Sequence, residues 1–513
     1  GTNKGSGITS PADGIPQGDN FDIDYVVHEV GHQLGGNHTF SMSTEGTGVN
    51  KEVGSGITIM GYAGITSQDV APHSIAMYHE TTIEQIQNNL QLKTCPVTTN
   101  ITATNATPVV APVNNYTIPI STPFALTGSA TDANAGDALT YCWEQNNDGT
   151  GQTGNNSRAY ITKPTGPNWL SFLPTSSPTR TFPQLSTILA GQFVTGPLPG
   201  GDAIATIEAL SSIGRTLNFR LTVRDNSPYI STPPVSVGQT AYTDMVVTVT
   251  ATSGPFKVTS PNTPVSWFAG SSQTITWDVA NTTAAPVSCS NVNILLSTDG
   301  GLTFPVTLAA NTTNDGSEVV TLPGTITTTA RVKIESVGNI FFDISDANFS
   351  ITLPPSGFTF TTPAAVNISC GAGASANSTV ATVATGGFTT PINLTVSGAP
   401  SGTTASVTPN PLTPGNSATV TLTGVNTLTP GTYNISLNGI AGVSNQTVIV
   451  PFVVQPGAAP TIQTAPASQG ICEGNNVSFS VTTTGATVTS YQWQISTNGG
   501  VSWSNIAGAT SSS

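Results

Sequence analysis

Hydrophobic positions along the 513-residue chain follow two rhythms. Ile23, Val27, Val30 and Leu34 recur at three- and four-residue steps, the spacing that lines up one face of a helix. Asp19 or Asn20 is expected to cap that helix, and Asp22 and Asp24 suit its positive N-terminal end. Gly35 and Gly36 supply a left-handed stop. A second helix is expected in "TTIEQIQNNLQL", ending near Cys95 and Pro96. From about residue 96 the period drops to two. Runs such as "TLNFRLTVRDN", "DMVVTVTAT", "QTITWDVA" and "ATVTLTGV" alternate apolar and polar positions between Pro, Gly, Asn and Ser clusters, as strands do.

Pro-rich joints divide this all-β stretch into pieces near the ~100 residues of a β-sandwich. The expected organisation is 1–95 with the helices, then β units at 96–252, 253–353 and 354–456, and a shortened one at 457–513. "LLSTDGGLTF" and "QISTNGGVSW" share a Ser-Thr-Asp/Asn-Gly-Gly core. Asp-Gly and Asn-Gly between β runs read as hairpin turns. The pattern is similar to the Asp-box of sialidase-type propellers, but two copies do not make a propeller, and the plain hairpin reading is preferred.

Only 7% of residues are charged, against roughly 25% in an average soluble chain. The formal net charge is −14. Such a chain has no phosphate-binding footprint, so nucleic acid is not an expected partner. No apolar run approaches the ~18 residues of a membrane span. The start, "GTNKGSGITS", has neither an initiator Met nor a leader's apolar core, from which a missing N-terminal segment is expected. The five cysteines, Cys95, Cys142, Cys289, Cys370 and Cys472, are far apart and form no CxxC, which argues against a zinc-thiolate site.

The chemistry is concentrated in "HEVGHQLGGNHTF". Three of the five histidines, His28, His32 and His38, fall within eleven positions. On a helix, His28 and His32 lie one turn apart on one face and can reach a single Zn²⁺. Gly35 lets the chain reverse so that His38 becomes a third nitrogen ligand. Three protein ligands leave a position open for water, as in catalytic zinc sites. Glu29, next to the first ligand, can accept a proton from that water. His73 and His79 lack ligand spacing and read as surface or capping residues near the last helix.

His28-Glu29-x-x-His32-x-x-Gly35-x-x-His38 resembles the zinc signature of the metzincin metalloendopeptidases. "GITIMGYAG" resembles that clan's methionine turn, with Met60 beneath the metal, and the helix near 81–92 resembles its closing helix. The longer pattern "FDIDYVVHEVGHQLGGNHTF…TIMGYAG" is similar to bacterial reprolysin-like peptidases with C-terminal Ig-like or cadherin-like sandwiches. "HEVGH" with "HTF" is also similar to pappalysins, and Thr39 stands where animal reprolysins usually have Asp, so the subfamily stays open. The resemblance implies a multidomain fold: the C-terminal part of an α+β metzincin catalytic domain, then all-β Ig-like sandwiches. It implies one catalytic zinc, protein or peptide substrates, and secretion or display at a bacterial surface. It implies for Tyr62 a place at the metal or at the oxyanion. The upper catalytic subdomain would precede Gly1, and residues 1–513 alone are expected to hydrolyse protein poorly.

In the first β unit, Asp132, Asn134 and Asp137, with Asp225 later, resemble the oxygen clusters of cadherin- or PKD-like repeats, some of which bind calcium. Calcium takes six to eight oxygens, so plain turn formation is the preferred reading. The competing function is an adhesin or glycan- and matrix-binding surface protein with a relic metal site. Exposed Trp267, Trp277 or Trp503 would favour it. A relic should have lost Glu29, Gly35 or a ligand, and none is lost.

Overall fold

The predicted histidine helix forms as three consecutive segments in a computed structural model: Asp19–Phe21 (α), Asp22–Val27 (π) and His28–Leu34 (α). Residues 9–11, 14–95, 97–369 and 372–513 are described; Pro96 and Cys370, singled out in the sequence, lie outside them. The start differs from expectation. Gly18, at φ 83°, turns the chain into the helix, its carbonyl accepts from Asp22 N–H at 2.9 Å, and no side chain caps. Asp19 and Asn20 are already inside the first turn. The apolar stripe also differs. Val30 is exposed, and the residues this helix buries are His28 and Gly31. A π turn inserts one extra residue and rotates the face that follows it, a device found often at functional sites. Here it falls immediately before His28.

The helix ends as read. Gly35 is left-handed at φ 106°, and the N–H groups of Gly35 and Gly36 return to the carbonyls of His32 and Gly31. A Cβ on Gly35 would also meet the Asn89 side chain at 2.7 Å. The last helix of the histidine region, Glu80–Gln91, starts on His79, whose ring accepts from Thr81 N–H. It docks through Asn89, which donates to the Leu34 carbonyl at 2.7 Å.

Two compact units divide the chain, Gly1–Thr352 and Leu353–Ser513. In the first, a four-stranded sheet runs Tyr116–Pro119, Thr240–Thr250, Arg215–Arg224, Thr140–Gln145. Phe124–Thr127 pairs with Thr179–Phe182 beside it. A second sandwich follows from Lys257–Ser260 to Phe349–Thr352. One hydrophobic core runs from Ile118 through Trp143, Phe219 and Trp277 to Ile351, so it crosses the cut drawn at 252/253. The second unit has two four-stranded sheets of alternating residues around Val420, Leu437, Val450 and Phe452. Its last part holds two short hairpins, Thr461–Thr464 with Thr482–Thr484 and Gln494–Ile495 with Ser504–Asn505.

The 96–252 unit is long for a sandwich because residues 146–214, between two paired strands of its sheet, leave that sheet; Thr179–Phe182 returns to pair with Phe124–Thr127, and much of the rest packs onto the histidine region. Leu170, Ala205 and Ile207 join Ile57, Val70 and Ala71 in one small core. Ala159 and Ala209 join Val53 in another. Backbone bonds tie Gly54 to Ser157, Asn50 to Gly149 and Val70 to Leu198. We call this excursion the clasp.

Both Asp-box-like segments form the same turn. Ser297 and Ser496 each bond the acceptor two residues on and receive the N–H of the second glycine.

Candidate metal centre

His28, His32 and His38 converge as the spacing implies. His38 Nε2 lies 3.2 Å from His28 Nε2 and 2.9 Å from His32 Nε2. Each far nitrogen is engaged: His28 Nδ1 donates to the Ile59 carbonyl at 2.6 Å, His32 Nδ1 to the Gly36 carbonyl at 2.9 Å, and His38 Nδ1 to Glu45 Oε1 at 2.7 Å. Three acceptors on Nδ1 fix the tautomer that turns three Nε2 lone pairs toward one point. Lone pairs so placed repel unless a cation lies between them. Nitrogen ligands ~2.0–2.1 Å from a tetrahedral zinc sit about 3.3 Å apart, close to the separations here. Burial pushes His28 down to about 4 and lowers His38 as well, which keeps both neutral and able to ligate. The donor set therefore fits a metal ion.

Met60 is fully buried in the turn after the third ligand. Its Sδ lies 2.5 Å from where a Cβ on Gly31 would stand, and Tyr78 Cε1 3.0 Å, so a larger residue in the middle of the HExxH helix would have to displace both side chains. Thr39 N–H donates to the Met60 carbonyl at 3.0 Å. Behind both sits Glu52, 1% exposed. It accepts from the Thr39 and Thr58 hydroxyls at 2.6 Å each, and from the Ile57 and Thr58 N–H groups at 3.0 and 3.1 Å. The position where the sequence departs from the animal reprolysin pattern thus donates to a carboxylate supplied thirteen residues later. Burial raises the Glu52 pKa, against the pull of these donors.

A cleft of about 330 Å³ beside the histidines is lined by Asp24, Tyr25, His28, Glu29, Tyr62 and His73 among others. The Tyr62 ring is 4.5 Å from that of His38 and 5.6 Å from that of His28, centroid to centroid. Burial, with Glu45 and Glu29 nearby, raises its pKa and keeps it a donor at neutral pH. A larger hollow of about 660 Å³, near Tyr116 and Lys333, lies among β residues well away from this chemistry. His73 is exposed beside Asp24. His79 caps the last helix but is buried rather than at the surface.

Two carboxylates at this site, Glu45 and Glu52, carried no motif in the sequence. A signal existed: they are the only acidic residues between His38 and Gly64 in a chain poor in charge.

In the first sandwich, carboxylate oxygens of Asp132, Asp137 and Asp225 come within 4.8 Å of one another. Asn134 belongs to the same turn, but its amide oxygen accepts from Ala106 N–H. Trp277 is buried and donates to Asn314, Trp267 packs on Phe349, and Trp503 is exposed. The described cysteines are free thiols, Cys95 and Cys472 exposed, Cys142 and Cys289 buried. No helix among the described residues is long and apolar enough to cross a membrane.

Three converging imidazoles on a helix–glycine–loop frame, over a buried methionine and beside a carboxylate-lined cleft, form a group that could hold one metal ion, in a region followed by β-sandwiches. The family model for Metallo-peptidase family M12B, reprolysin-like, matches residues 2–90, the stretch holding all five histidines. That match supports a metallopeptidase domain in this region. No curated protein matches the chain. Among solved structures, the I67–I69 I-band fragment of titin covers 68% of this chain and 99% of its own at 9% identity and TM-score 0.18. A Dpr2 Ig1–Ig2 complex with DIP-Theta Ig1–Ig3 covers 68% and 99% at 12% identity and TM-score 0.15. Domains 4 and 5 of the S-layer protein SbsC cover 34% and 82% at 17% identity and TM-score 0.15. Likeness at that level fixes neither fold nor function.

Proposed function

We propose that the chain carries the metal-bearing part of a zinc metalloendopeptidase of reprolysin-like kind that acts on protein or peptide substrates outside the cell. The observation that carries this reading is the convergence of three Nε2 atoms whose Nδ1 partners are all in place. Zinc held there would activate a water and polarise the scissile carbonyl. Glu29, one residue past His28 and lining the same cleft, accepts the proton of the attacking water and returns it to the leaving amine. Tyr62, whose hydroxyl has no hydrogen-bond partner among the described residues, donates to the carbonyl oxygen as charge develops there. Gly35 and Met60 shape the frame and take no part in bond making. The divisions at 95, 252, 353 and 456 go with this reading, and the β units are its non-catalytic part. The exposed Trp503 favours a binding role for the β units, while the complete ligand set disfavours a vestigial metal site. The test is Glu29→Ala in the full-length enzyme: zinc content stays at one per chain and peptide cleavage is lost. Retained cleavage would overturn the mechanism.

A second reading concerns calcium in the first sandwich. It is favoured by oxygens left without partners: Asp132 Oδ2, Asp137 Oδ2 and, in a side chain 2% exposed, Asn105 Oδ1. Asn105 donates to Asp225 Oδ2 at 2.7 Å, which places its amide at the cluster. Calcium there would take Asp132, Asp137, Asp225 and Asn105, with water completing the shell. A rise in unfolding temperature with millimolar Ca²⁺, lost in Asp225→Asn, is the expected result. No shift with Ca²⁺ would overturn it.

A further inference from the structure

We infer that Glu45 is a positioning residue that sets the affinity of the third ligand for metal, and that the clasp of the following β-sandwich holds Glu45 in place. The inference rests on the metal reading above and adds a dependence of the site on a distant part of the chain.

Glu45 lies on the excursion between Ser41 and Asn50 and accepts from His38 Nδ1 at 2.7 Å. Of the three histidines, His38 alone takes its second bond from a carboxylate. The other two use backbone carbonyls of elements already fixed by the helix and the methionine turn. A carboxylate on the far nitrogen orients the ring and makes it a stronger donor. Its benefit depends on the carboxylate being held, because Glu45 is exposed and its loop has no regular structure.

The clasp supplies that hold on both sides of Glu45. Gly154 N–H donates to the Met42 carbonyl at 2.8 Å, and Gly151 N–H to the Thr44 hydroxyl at 3.0 Å. Gly149 N–H donates to the Asn50 carbonyl at 2.7 Å. Asn50 in turn donates to the Phe40 carbonyl at 2.6 Å, two residues beyond His38. Gly149 approaches so closely that a Cβ there would stand 2.8 Å from Pro167 Cδ in the clasp and 2.9 Å from both the Asn50 carbonyl oxygen and Ser41 Cβ. A side chain at 149 forces the clasp and the Glu45 loop apart.

The test uses the intact 513-residue chain, stripped of metal and titrated with Zn²⁺ against a chromophoric chelator. Glu45→Ala is expected to weaken zinc binding ~10–100-fold, the usual cost of losing an outer-shell partner. Glu45→Gln keeps an oxygen for His38 Nδ1–H without the charge and should fall between wild type and the alanine variant. Gly149→Ala should also weaken binding. The double variant Glu45→Ala/Gly149→Ala should be no weaker than Glu45→Ala alone, because the clasp acts through Glu45. A purely structural defect would instead add. Glu45→Ala and Glu45→Gln both binding within about threefold of wild type would overturn the role of Glu45. Additive losses would overturn the role of the clasp. Failure of the wild-type chain to bind zinc would overturn the metal reading itself, a separate outcome. If the alanine variant does not fold, Glu45→Gln, equal in size, carries the test.

Discussion

The loop region from Gly36 to His79 and the sandwich from Gly357 to Val454 solve the same problem in opposite ways. Both must satisfy their buried backbone groups. The sandwich does so with ladders between its own strands, and its core of Val420, Leu437, Val450 and Phe452 comes from one stretch of sequence. The loop region has almost no ladder. Its carbonyls and N–H groups are met by buried polar side chains, Glu52, Asn50, Ser41 and Ser55, and by the clasp 100 residues away. An irregular region can hold a metal site rigidly if its polar groups are saturated, but it is then dependent on distant residues. The sandwich is regular, holds no group of metal-ligating side chains among its described residues, and builds its ladders from its own strands.

The largest effect expected from this contrast is chemical. On the proposed peptidase reading, Glu29→Ala should lower peptide hydrolysis by ~10²–10⁴-fold without changing the unfolding temperature by more than a degree or two. The glutamate faces a cleft and supports no loop, so the measurement separates chemistry from scaffold. A large loss of stability would mean that Glu29 belongs to the polar frame instead.

Next in size is the frame itself. Glu52→Ala removes an acceptor from two hydroxyls and two N–H groups in a buried place. Leaving such donors unpaired costs ~1–3 kcal/mol each where water cannot enter, so a loss of at least about 3 kcal/mol is expected in urea unfolding, with zinc affinity falling in parallel. Leu437→Ala in the sandwich should cost a comparable ~2–5 kcal/mol by cavity formation, and zinc affinity should not move. Equal effects of the two variants on zinc would break the comparison.

The contrast also explains what could be read from the sequence. The sandwiches were legible because alternation is a local signal. The grouping of His28, His32 and His38, and the left-handed Gly35 between the last two, were legible because they follow from fixed residue types at fixed spacing. The cap was not, because a left-handed Gly18 does the turning that Asp19 or Asn20 seemed suited to do. The exposed Val30 follows from a π turn, which leaves no periodic signature in so short a segment. Glu45, Glu52 and the clasp stayed hidden because their partners are set by tertiary contact. Residues 146–214 read as part of a sandwich, and only packing reveals that Ala159, Leu170, Ala205, Ile207 and Ala209 also pack against the histidine region.

The smallest effect expected is a pH dependence where the two kinds of architecture meet. His79 caps the last helix, is fully buried, and lies 3.8 Å from Glu144 of the first sandwich. Burial pushes it down to about 3, well below an unfolded histidine near 6.5. Between these values the unfolded chain binds a proton that the folded chain refuses, so this residue makes stability fall as pH falls. Its contribution is complete above pH 6.5 and is lost progressively toward pH 3. At 1.36 kcal/mol per unit, the loss reaches about 2–3 kcal/mol by pH 4.5. Burial moves Glu80 and Glu144 the other way, up to about 8 and about 7, and Arg220, 2.9 Å from Glu80, pulls that group back. These neighbours oppose the histidine in the same window, so the difference between wild type and His79→Asn carries the prediction. Asparagine can still cap the helix but cannot titrate. Unfolding curves at pH 7 and pH 4.5 should show the wild type losing about 2–3 kcal/mol more than His79→Asn. Parallel losses would mean that water reaches His79 and that the junction is open.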